Sequence, residues 1–316
     1  MGWTKALLPL AMLAALSTGV QAQVSVMLPA NPGGGWDGTG RQAMQAMIDA
    51  GIYTGGVNFT NTGGAGGTIG LAEFQNSQTG KPDALAVFGA ITVGAIDMNK
   101  SPIKLSDFRP IARLTTEYDV IAVKADSPYK TLADFVAALK ADPGSVAVGG
   151  GSAGGVDQIA LALLAKAGGV NVPDLNYIPQ ASGAETVTGI INGTLAAGFS
   201  GVSEFAQFAE QGRIRILGVT SAERQASIDA PTFKEAGYDV ELGNWRGFLG
   251  SPNMPEDNYQ MWVENFKKLN DSEQWHKVLE TQGWEQDYLG GADFGTFIAD
   301  ETTRIGAVLK DAGLVE

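Results

Sequence analysis

Short apolar runs alternate along the chain with stretches in which apolar residues recur at helical spacing. The first run covers Val24–Leu28, and the pattern of Asp37–Asp49 after it is that of an amphipathic helix. Further strands are predicted at Val57–Asn61, Ala84–Gly89, Val120–Val123, Ser145–Gly149, Leu175–Ile178, Leu195–Ser200, Ile214–Val219 and Trp245–Leu249. Alternating strands and helices are typical of an α/β fold, and such short apolar strands indicate a mostly buried sheet.

Three later segments have clear helical signals. Thr131 and Asp134 form a capping-box pattern that predicts a helix over Leu132–Lys140, ending before Pro143. Two other segments carry an apolar stripe that indicates packing against a sheet. The first stripe consists of Val156, Ile159, Ala160, Leu163, Leu164 and Ala167, and the second of Phe294, Phe297, Ile298, Ile305, Val308 and Leu309.

The length of 316 residues is about twice that of a usual domain, which predicts two domains, with a single domain as the alternative. Hydrophobic residues make up 44% of the chain and charged residues 17%, the balance of a folded globular protein. No linker rich in proline or serine separates two parts of the sequence. Two domains would therefore be joined by segments that cross between them.

The N-terminus has the features of a secretory signal peptide. Lys5 precedes an apolar stretch over Ala6–Leu16, and the small-x-small pattern that ends at Ala22 predicts cleavage after that residue. The stretch is shorter than the roughly 20 residues that span a bilayer, so a membrane anchor is the weaker alternative. We expect residues 1–22 to be removed and the mature protein to be free in the periplasm.

Composition excludes several kinds of chemistry. The chain has no cysteine and a single histidine, so disulfides, thiolate nucleophiles and multi-histidine metal sites are excluded. The one histidine, His276, lies in a polar helical pattern and is interpreted as a surface residue, so the sequence offers no convincing Ser-His-Asp triad. The formal net charge of −13 argues against nucleic acid as a partner. We predict no catalytic residues, no metal and no cofactor. Carboxylates are plentiful, however, and an exported hydrolase with a carboxylate acid/base pair stays open.

Glycine-rich loops follow several predicted strands and precede helices. Gly33, Gly34 and Gly35 stand between the first strand and the helix that contains Asp37. Main-chain amides in such a loop, together with the helix N-terminus, form a cradle for an anion. Asp37 has two interpretations, as a residue that only caps the helix or as one that also positions a ligand or water.

Similar loops recur at Asn61–Thr68, Gly149–Gly155 and Gln180–Gly183. Several such loops at the carboxyl ends of strands are what a ligand crevice in an open α/β sheet requires. Gly149, Gly151 and Gly154 also satisfy the dinucleotide pattern G-x-G-x-x-G, with Asp174 further on, although an exported protein has little use for a nicotinamide cofactor.

The sequence resembles the periplasmic solute receptors of tripartite tricarboxylate transporters over essentially the whole mature chain. The residues that carry the resemblance are Pro32-Gly33-Gly34 with Asp37 and Arg41, Asn61 with Gly64-Ala65-Gly66-Gly67, Tyr177-Ile178-Pro179, the segment from Gly212 to Ser221 with Arg224, the segment from Pro231 to Gly237, and Trp245-Arg246-Gly247-Phe248. Gly33–Asp37, Ala125–Leu132 and Arg246–Phe248 are most similar to the citrate-receptor branch of this family.

The resemblance implies a type II periplasmic-binding fold, with two α/β lobes joined by two crossing segments and a ligand cleft between them. We expect one lobe to consist of residues 23–124 and 248–316 and the other of residues 125–247. The implied function is that of a monomeric receptor that binds a di- or tricarboxylate, such as citrate, and delivers it to the large and small membrane subunits of the transporter. A partner of a sensor kinase is a further alternative.

The expected ligand contacts are main-chain amides of the two lobes and a few hydroxyl groups. The candidate residues are Gly33, Gly34, Gly35, Trp36, Asp37, Gly64, Ala90, Thr92, Ser152, Ala153, Gly154, Ser182, Gly183 and Ser200. Arg113, Arg246 and Lys124 are candidates for neutralising further carboxylates, with a structural ion pair or a solvated surface position as the alternative for each.

Overall fold

The computed structural model describes residues 23–311 and 313–316. The predicted signal peptide and its cleavage site after Ala22 lie outside the described residues. The fold is α/β, as the sequence predicts. Within the described part, none of the helices is long and apolar enough to span a membrane.

Strands and helices alternate through most of the chain. The strands are β1 (Val24–Leu28), β2 (Val57–Asn61), β3 (Ala84–Gly89), β4 (Arg109–Lys124), β5 (Ala147–Gly150), β6 (Asn176–Pro179), β7 (Ala197–Gly201), β8 (Ile214–Val219), β9 (Gly243–Gly250) and β10 (Glu285–Gly290). The helices are α1 (Gly35–Asp49), α2 (Thr68–Gln78), α3 (Ala90–Met98), α4 (Leu132–Ala141), α5 (Val156–Ala167), α6 (Gly183–Asn192), α7 (Val202–Glu210), α8 (Glu256–Asn270), α9 (Glu273–Gln282) and α10 (Gly291–Asp311).

One long strand, β4, joins two halves of the sheet, whose order is β2-β1-β3-β9-β4-β7-β5-β6. Residues 109–118 of β4 pair with β9, and β10 pairs with the same part of the strand. Residues 119–124 pair with β7 and β8 instead. The strand is thus the first segment that crosses from one half to the other. The partners change between Tyr118 and Asp119, while the predicted division into lobes at 124/125 and 247/248 stays a prediction.

The second crossing segment runs from the end of β8 to the start of β9 and is tied to β4 by a buried threonine. The Thr220 hydroxyl accepts a hydrogen bond from the Asp119 amide (3.1 Å) and donates one to the Leu242 carbonyl (2.7 Å). The Thr220 amide donates to the Asp119 carbonyl, and the Leu242 amide to the Thr220 carbonyl. One side chain therefore connects both crossing segments at the point where the halves meet.

Three apolar clusters stabilise this arrangement. One packs α1, α8 and α9 on a face of the first half, and another packs α6 and α7 on a face of the second. The largest is continuous between the halves, because it includes Phe88 of β3 and Phe199 of β7. Phe294 of α10 lies within it with no exposed surface, its ring centroid 5.7 Å from that of Phe88 and 5.8 Å from that of Trp245.

The C-terminal helix contacts both halves of the molecule. Helix α10 packs on β4 and α3 and, toward its end, on α5. Near that end the Lys166 ammonium lies 2.5 Å from the Asp311 carboxylate. Leu314 packs against the central apolar cluster. The C-terminal helix and the residues after it therefore form a third connection between the two halves, one that is not part of the sheet.

Most predicted elements are present, but one strand was predicted too short and another was not predicted. The capping box is confirmed, since the Thr131 hydroxyl accepts from the Asp134 amide (3.1 Å) and the Asp134 carboxylate accepts from the Thr131 amide (2.9 Å). The strand predicted at Val120–Val123 is only the end of β4, because polar residues and two register shifts interrupt the alternation of the earlier part. Strand β10 was missed because its sequence, EQDYLG, is mostly polar.

We expect Phe294→Ala to lower the free energy of unfolding by about 3–5 kcal/mol, because it removes a fully buried ring from the cluster shared by the two halves. Urea denaturation followed by circular dichroism measures this change. Thr296→Ala, at an exposed position of the same helix, is the control and should change stability by no more than about 0.5 kcal/mol. A loss below about 1 kcal/mol for Phe294→Ala would contradict the packing described.

Candidate functional site

Several helices begin at a glycine in the N-cap position. Among the described helices, α1, α2, α3, α5 and α7 have a glycine N-cap and no side-chain capping bond. Their N-caps are Gly34, Gly67, Gly89, Gly155 and Gly201. The first amides of a helix have no acceptor inside the helix. Such helix ends can therefore donate hydrogen bonds to an anion. Helix α6 differs, because the Ser182 hydroxyl accepts from the Glu185 amide (3.3 Å).

Asp37 holds the first glycine loop in place. Its carboxylate accepts hydrogen bonds from the Gly33 amide (2.9 Å), the Asn61 side-chain amide (2.9 Å) and the Arg41 guanidinium (2.7 Å). Burial favours the neutral acid, but these hydrogen bonds and the charge of Arg41 outweigh it and lower the pKa of Asp37. Since both oxygens are engaged, the carboxylate acts on the loop and on β2. The Gly33 amide donates to it and the Gly34 amide donates to the Asn31 carbonyl (3.0 Å), so the amides left for a ligand are those of the first turn of α1.

The loop after β2 packs directly against the loop after β1. A Cβ atom built on Gly67 would lie 2.5 Å from the Trp36 ring, and one on Gly63 would lie 2.5 Å from the Asn31 side-chain oxygen. Gly64 is exposed beside them, with a φ of 118° that favours glycine. The structure thus brings the predicted residues of the first two loops together.

Of the three basic residues predicted to neutralise carboxylates, only Arg246 lies at these loops. It is 8% exposed, and its Nη2 is 2.8 Å from Oε2 of Glu117. A Cβ atom on Gly35 would lie 3.2 Å from its Cζ. Arg113 instead pairs with Asp287 (2.5 Å). Lys124 lies on the surface at the end of β4, and its ammonium is 3.4 Å from the Asp126 carboxylate.

In the second half of the sheet, the loops after β5, β6 and β7 lie close together. The Gly151 amide donates to the Asp157 carboxylate, and the Tyr177 hydroxyl donates to the Gly151 carbonyl (2.9 Å). The Ser200 hydroxyl donates to Glu204, and a Cβ atom on Gly183 would lie 2.6 Å from both of their side-chain oxygens. The predicted residues Ser182, Gly183 and Ser200 are therefore neighbours.

The two groups of loops meet at two places. Glu117, which pairs with Arg246 beside the first loop, also accepts a hydrogen bond from Ser203 at the start of α7. Helix α3 contacts the loop after β5, since a Cβ atom on Gly94 would lie 2.6 Å from the Gly154 carbonyl oxygen.

The remaining predicted residues lie on the two elements that form the contact between α3 and the loop after β5. Thr92 is buried near the start of α3, just after Ala90, and its hydroxyl has no hydrogen-bond partner among the described residues. Ser152 and Ala153 are exposed at the tip of the loop after β5. These two therefore lie at the outer edge of the candidate site.

Sequence reasoning missed four carboxylates that gather between the loops: Glu117, Asp119, Asp157 and Glu204. Asp119 is 1% exposed, and no amide or hydroxyl of the described residues donates a hydrogen bond to its Oδ2. Burial, then the charge of Asp157 and its hydrogen bond, then Glu117 and Glu204 raise the pKa of Asp119 well above its usual value. Recognising that β4 continues N-terminal to Val120 would have placed Glu117 and Asp119 on one strand.

Two other features of the sequence are not part of this arrangement. Asp174, the acidic residue of the dinucleotide pattern, is exposed in the turn before β6, where it accepts a hydrogen bond from Asn171 (2.7 Å). His276 is exposed on α9, with its Nε2 2.9 Å from the Asn270 carbonyl oxygen. Neither residue contacts the glycine loops.

Comparison with known sequences identifies relatives along most of the chain. The family model for the tripartite tricarboxylate transporter family receptor, TctC, matches residues 41–314. The UPF0065 protein in the gbd 5′ region of Cupriavidus necator is 26% identical over 222 residues, which are 69% of this chain and 65% of that protein, just under two thirds of its length. The UPF0065 protein in the TAR-I ttuE-ttuC′ intergenic region of Agrobacterium vitis is 26% identical over 299 residues, 92% of this chain and 84% of that protein.

Solved structures share the fold. A TctC solute-binding protein from Polaromonas, without ligand, is 26% identical with a TM-score of 0.74, covering 91% of this chain and 98% of that one. MatC from Rhodopseudomonas palustris with bound malate is 20% identical with a TM-score of 0.75 and the same coverage. Rpa4515 of R. palustris with adipate is 19% identical with a TM-score of 0.79, covering 93% of this chain and 98% of that one.

The fold is thus that of periplasmic solute-binding proteins, as the resemblance implied. Members of the matched family are solute receptors and not enzymes, so the receptor interpretation holds over the exported hydrolase. The matched segment includes most of the residues that contribute to the candidate site. The chain belongs to the TctC family of tripartite tricarboxylate transporter receptors.

Proposed function

We propose that the protein is an extracytoplasmic receptor that binds a small carboxylate in the candidate site and delivers it to a tripartite tricarboxylate transporter. The observation that carries the proposal is the set of glycine N-caps on both halves of the sheet. A carboxylate between these helix ends would accept hydrogen bonds from main-chain amides and would lie at the positive end of several helix dipoles.

The ligands of two structural relatives support a carboxylate as the ligand class. MatC was solved with malate and Rpa4515 with adipate, and both molecules are dicarboxylates. The citrate-like ligand suggested by the resemblance is a narrower hypothesis. Citrate carries a third carboxylate, whereas the two basic residues beside the first loop are already paired, Arg246 with Glu117 and Arg41 with Asp37.

The remaining parts of the proposal concern location and partners. The signal-peptide pattern of residues 1–22 and family membership support a receptor that is released into the periplasm after cleavage at Ala22. We propose that it acts as a monomer and passes its ligand to the large and small membrane subunits of the transporter.

We expect the purified protein to bind at least one small carboxylate. Isothermal titration calorimetry and thermal unfolding with acetate, succinate, malate, adipate, citrate and amino carboxylates test this, because a true ligand stabilises the folded state by about 2.7 kcal/mol at a hundred times its Kd. A sugar and a polyamine are the controls. If no carboxylate shifts the unfolding temperature or produces binding heat, the proposed function is wrong.

We expect Gly35→Val to weaken carboxylate binding at least about tenfold, because the new side chain would be forced against the Arg246 guanidinium at the mouth of the first loop. Gly38→Val is a matched control in the same helix, since a Cβ atom there meets only the end of the Gln42 side chain, at 3.9 Å. Calorimetry measures both affinities. Equal affinities for the two variants would place the ligand away from the first loop.

A further inference from the structure

One buried carboxylate lies at the place where the two halves of the molecule meet. Glu117 is in the part of β4 that pairs with β9, so it belongs to the first half. It is 7% exposed, and its two oxygens have different partners. Oε2 accepts from the Arg246 guanidinium (2.8 Å), and Oε1 accepts from the Ser203 hydroxyl. Since Arg246 belongs to the first half and Ser203 to the second, this carboxylate connects the halves.

Arg246 holds the carboxylate in place from the first half. Its Cζ lies 5.0 Å from the centroid of the Trp284 ring, a cation–π contact, and a Cβ atom on Gly35 would lie 3.2 Å from the same carbon. The guanidinium is thus enclosed by the carboxylate, an aromatic ring and the first glycine loop. A solute bound at that loop would lie beside an ion pair whose other end contacts the second half.

The second half meets the carboxylate with the beginning of α7. Gly201 is the N-cap of this helix, and Ser203 lies in its first turn. A Cβ atom on Gly201 would lie 2.3 Å from Oε1 of Glu117. The missing side chain therefore lets the carboxylate approach the helix end, where the helix dipole favours a negative charge. Because the carboxylate comes from the other half, α7 has this contact only while the halves are together.

The backbone at this glycine does not itself require glycine. Gly201 has a φ of −60° and a ψ of 148°, which alanine also adopts without strain. The three atoms nearest to the added Cβ atom, chain neighbours excluded, all belong to the carboxyl group of Glu117. The approach of that side chain is thus the physical reason for a glycine at this position.

The contact is polar and can be broken at low cost. Ser203 is exposed, so water can replace its hydroxyl as the donor to the carboxylate when the halves separate. The apolar cluster shared by the two halves differs, because its separation would expose rings such as Phe294. The carboxylate and the start of α7 therefore lie where contact can form and break reversibly.

We infer that Glu117, Gly201 and Ser203 form a latch that holds the two halves closed over the ligand. The carboxylate of the first half docks at the start of α7, and Arg246 fixes its position. This inference rests on the proposed function and concerns its regulation. The three residues act on affinity by stabilising the closed form, which retains the ligand. The N-terminus of α7 is then taken by the protein's own carboxylate, and α1, α2, α3 and α5 remain for the solute.

Two substitutions break the latch without changing a charge. Ser203→Ala removes the donor, and Gly201→Ala places a methyl group where the carboxylate lies. For each carboxylate that binds the unsubstituted protein, we expect Ser203→Ala to raise the Kd about threefold to tenfold and Gly201→Ala at least about tenfold, each by the same factor for every ligand. Stopped-flow fluorescence should show faster dissociation. Gln207→Ala, exposed one turn further along α7, is the control and should leave the Kd within about twofold.

The separation of the halves is measured independently of the ligand. The chain has no cysteine, so Asn76→Cys on α2 and Thr188→Cys on α6, both exposed, introduce one spin label into each half. Double electron–electron resonance then gives the distribution of distances between the labels. We expect each latch variant to increase the fraction of free protein at longer distances at least about twofold, because the closed form has lost its polar contact. Saturating ligand should restore the short distances in Ser203→Ala.

The outcomes separate the latch from the proposed function. Unchanged Kd values in both latch variants would overturn the latch and leave the proposed function standing. Losses of affinity that differ more than about fivefold between ligands would place Ser203 or Gly201 in contact with the solute and would also overturn it. If no carboxylate binds, the proposed function is wrong, and the distances in the free protein decide: unchanged distances overturn the latch. Thermal unfolding checks that each variant is folded, and Ser203→Ala, at an exposed position, keeps the test available if Gly201→Ala is unstable.

Discussion

The amides at the beginning of a helix must find acceptors outside the helix, and this requirement organises the molecule. Helices α1, α2, α3, α5 and α7 start at a glycine that offers no capping side chain, and each of them follows a strand directly or after a short loop. Glycine permits the close approach of backbone and ligand that a larger residue would block. Within each half, the carboxyl ends of the parallel strands face the same edge. Because β3 and β7 run in opposite directions, with β9 and β4 between them, the uncapped helix ends of the two halves face each other across residues 115–119 of β4. Anion binding then follows from sheet topology more than from any single side chain.

The second constraint is that the two sheet halves must stay joined next to each other, so that both sets of amides can reach one solute. Strand β4 does this by pairing with β9 through its first part and with β7 and β8 through its last. Thr220 fixes the other crossing segment to the same strand. The carboxylates of Glu117 and Asp119 lie beside this junction, so the strand that connects the halves also determines the charge of the site.

The sequence was most informative where a residue type has one physical use. Val24–Leu28 and Ile214–Val219 are short apolar runs that can only be buried strands in an α/β pattern, and both were predicted with correct bounds. The glycine loops were visible for the same reason. In contrast, β10 and the first part of β4 are polar strands whose stability depends on neighbours distant in sequence, such as the Arg113–Asp287 pair. Because Glu117, Asp119, Asp157 and Glu204 come from three separate elements, no local pattern could indicate that they meet.

The C-terminal helix bears on how such a receptor can move. A protein of this architecture is expected to open and close by rotation of one half about the crossing segments. Here Phe294 lies in the apolar cluster shared by both halves, while Asp311 and Leu314 contact the α5 side. A rotation that separates the halves must therefore either carry the tail along with α5 and bend the helix, or detach the tail from its contacts. The last turns of α10 would therefore limit how far the two halves can separate before apolar surface is exposed to solvent.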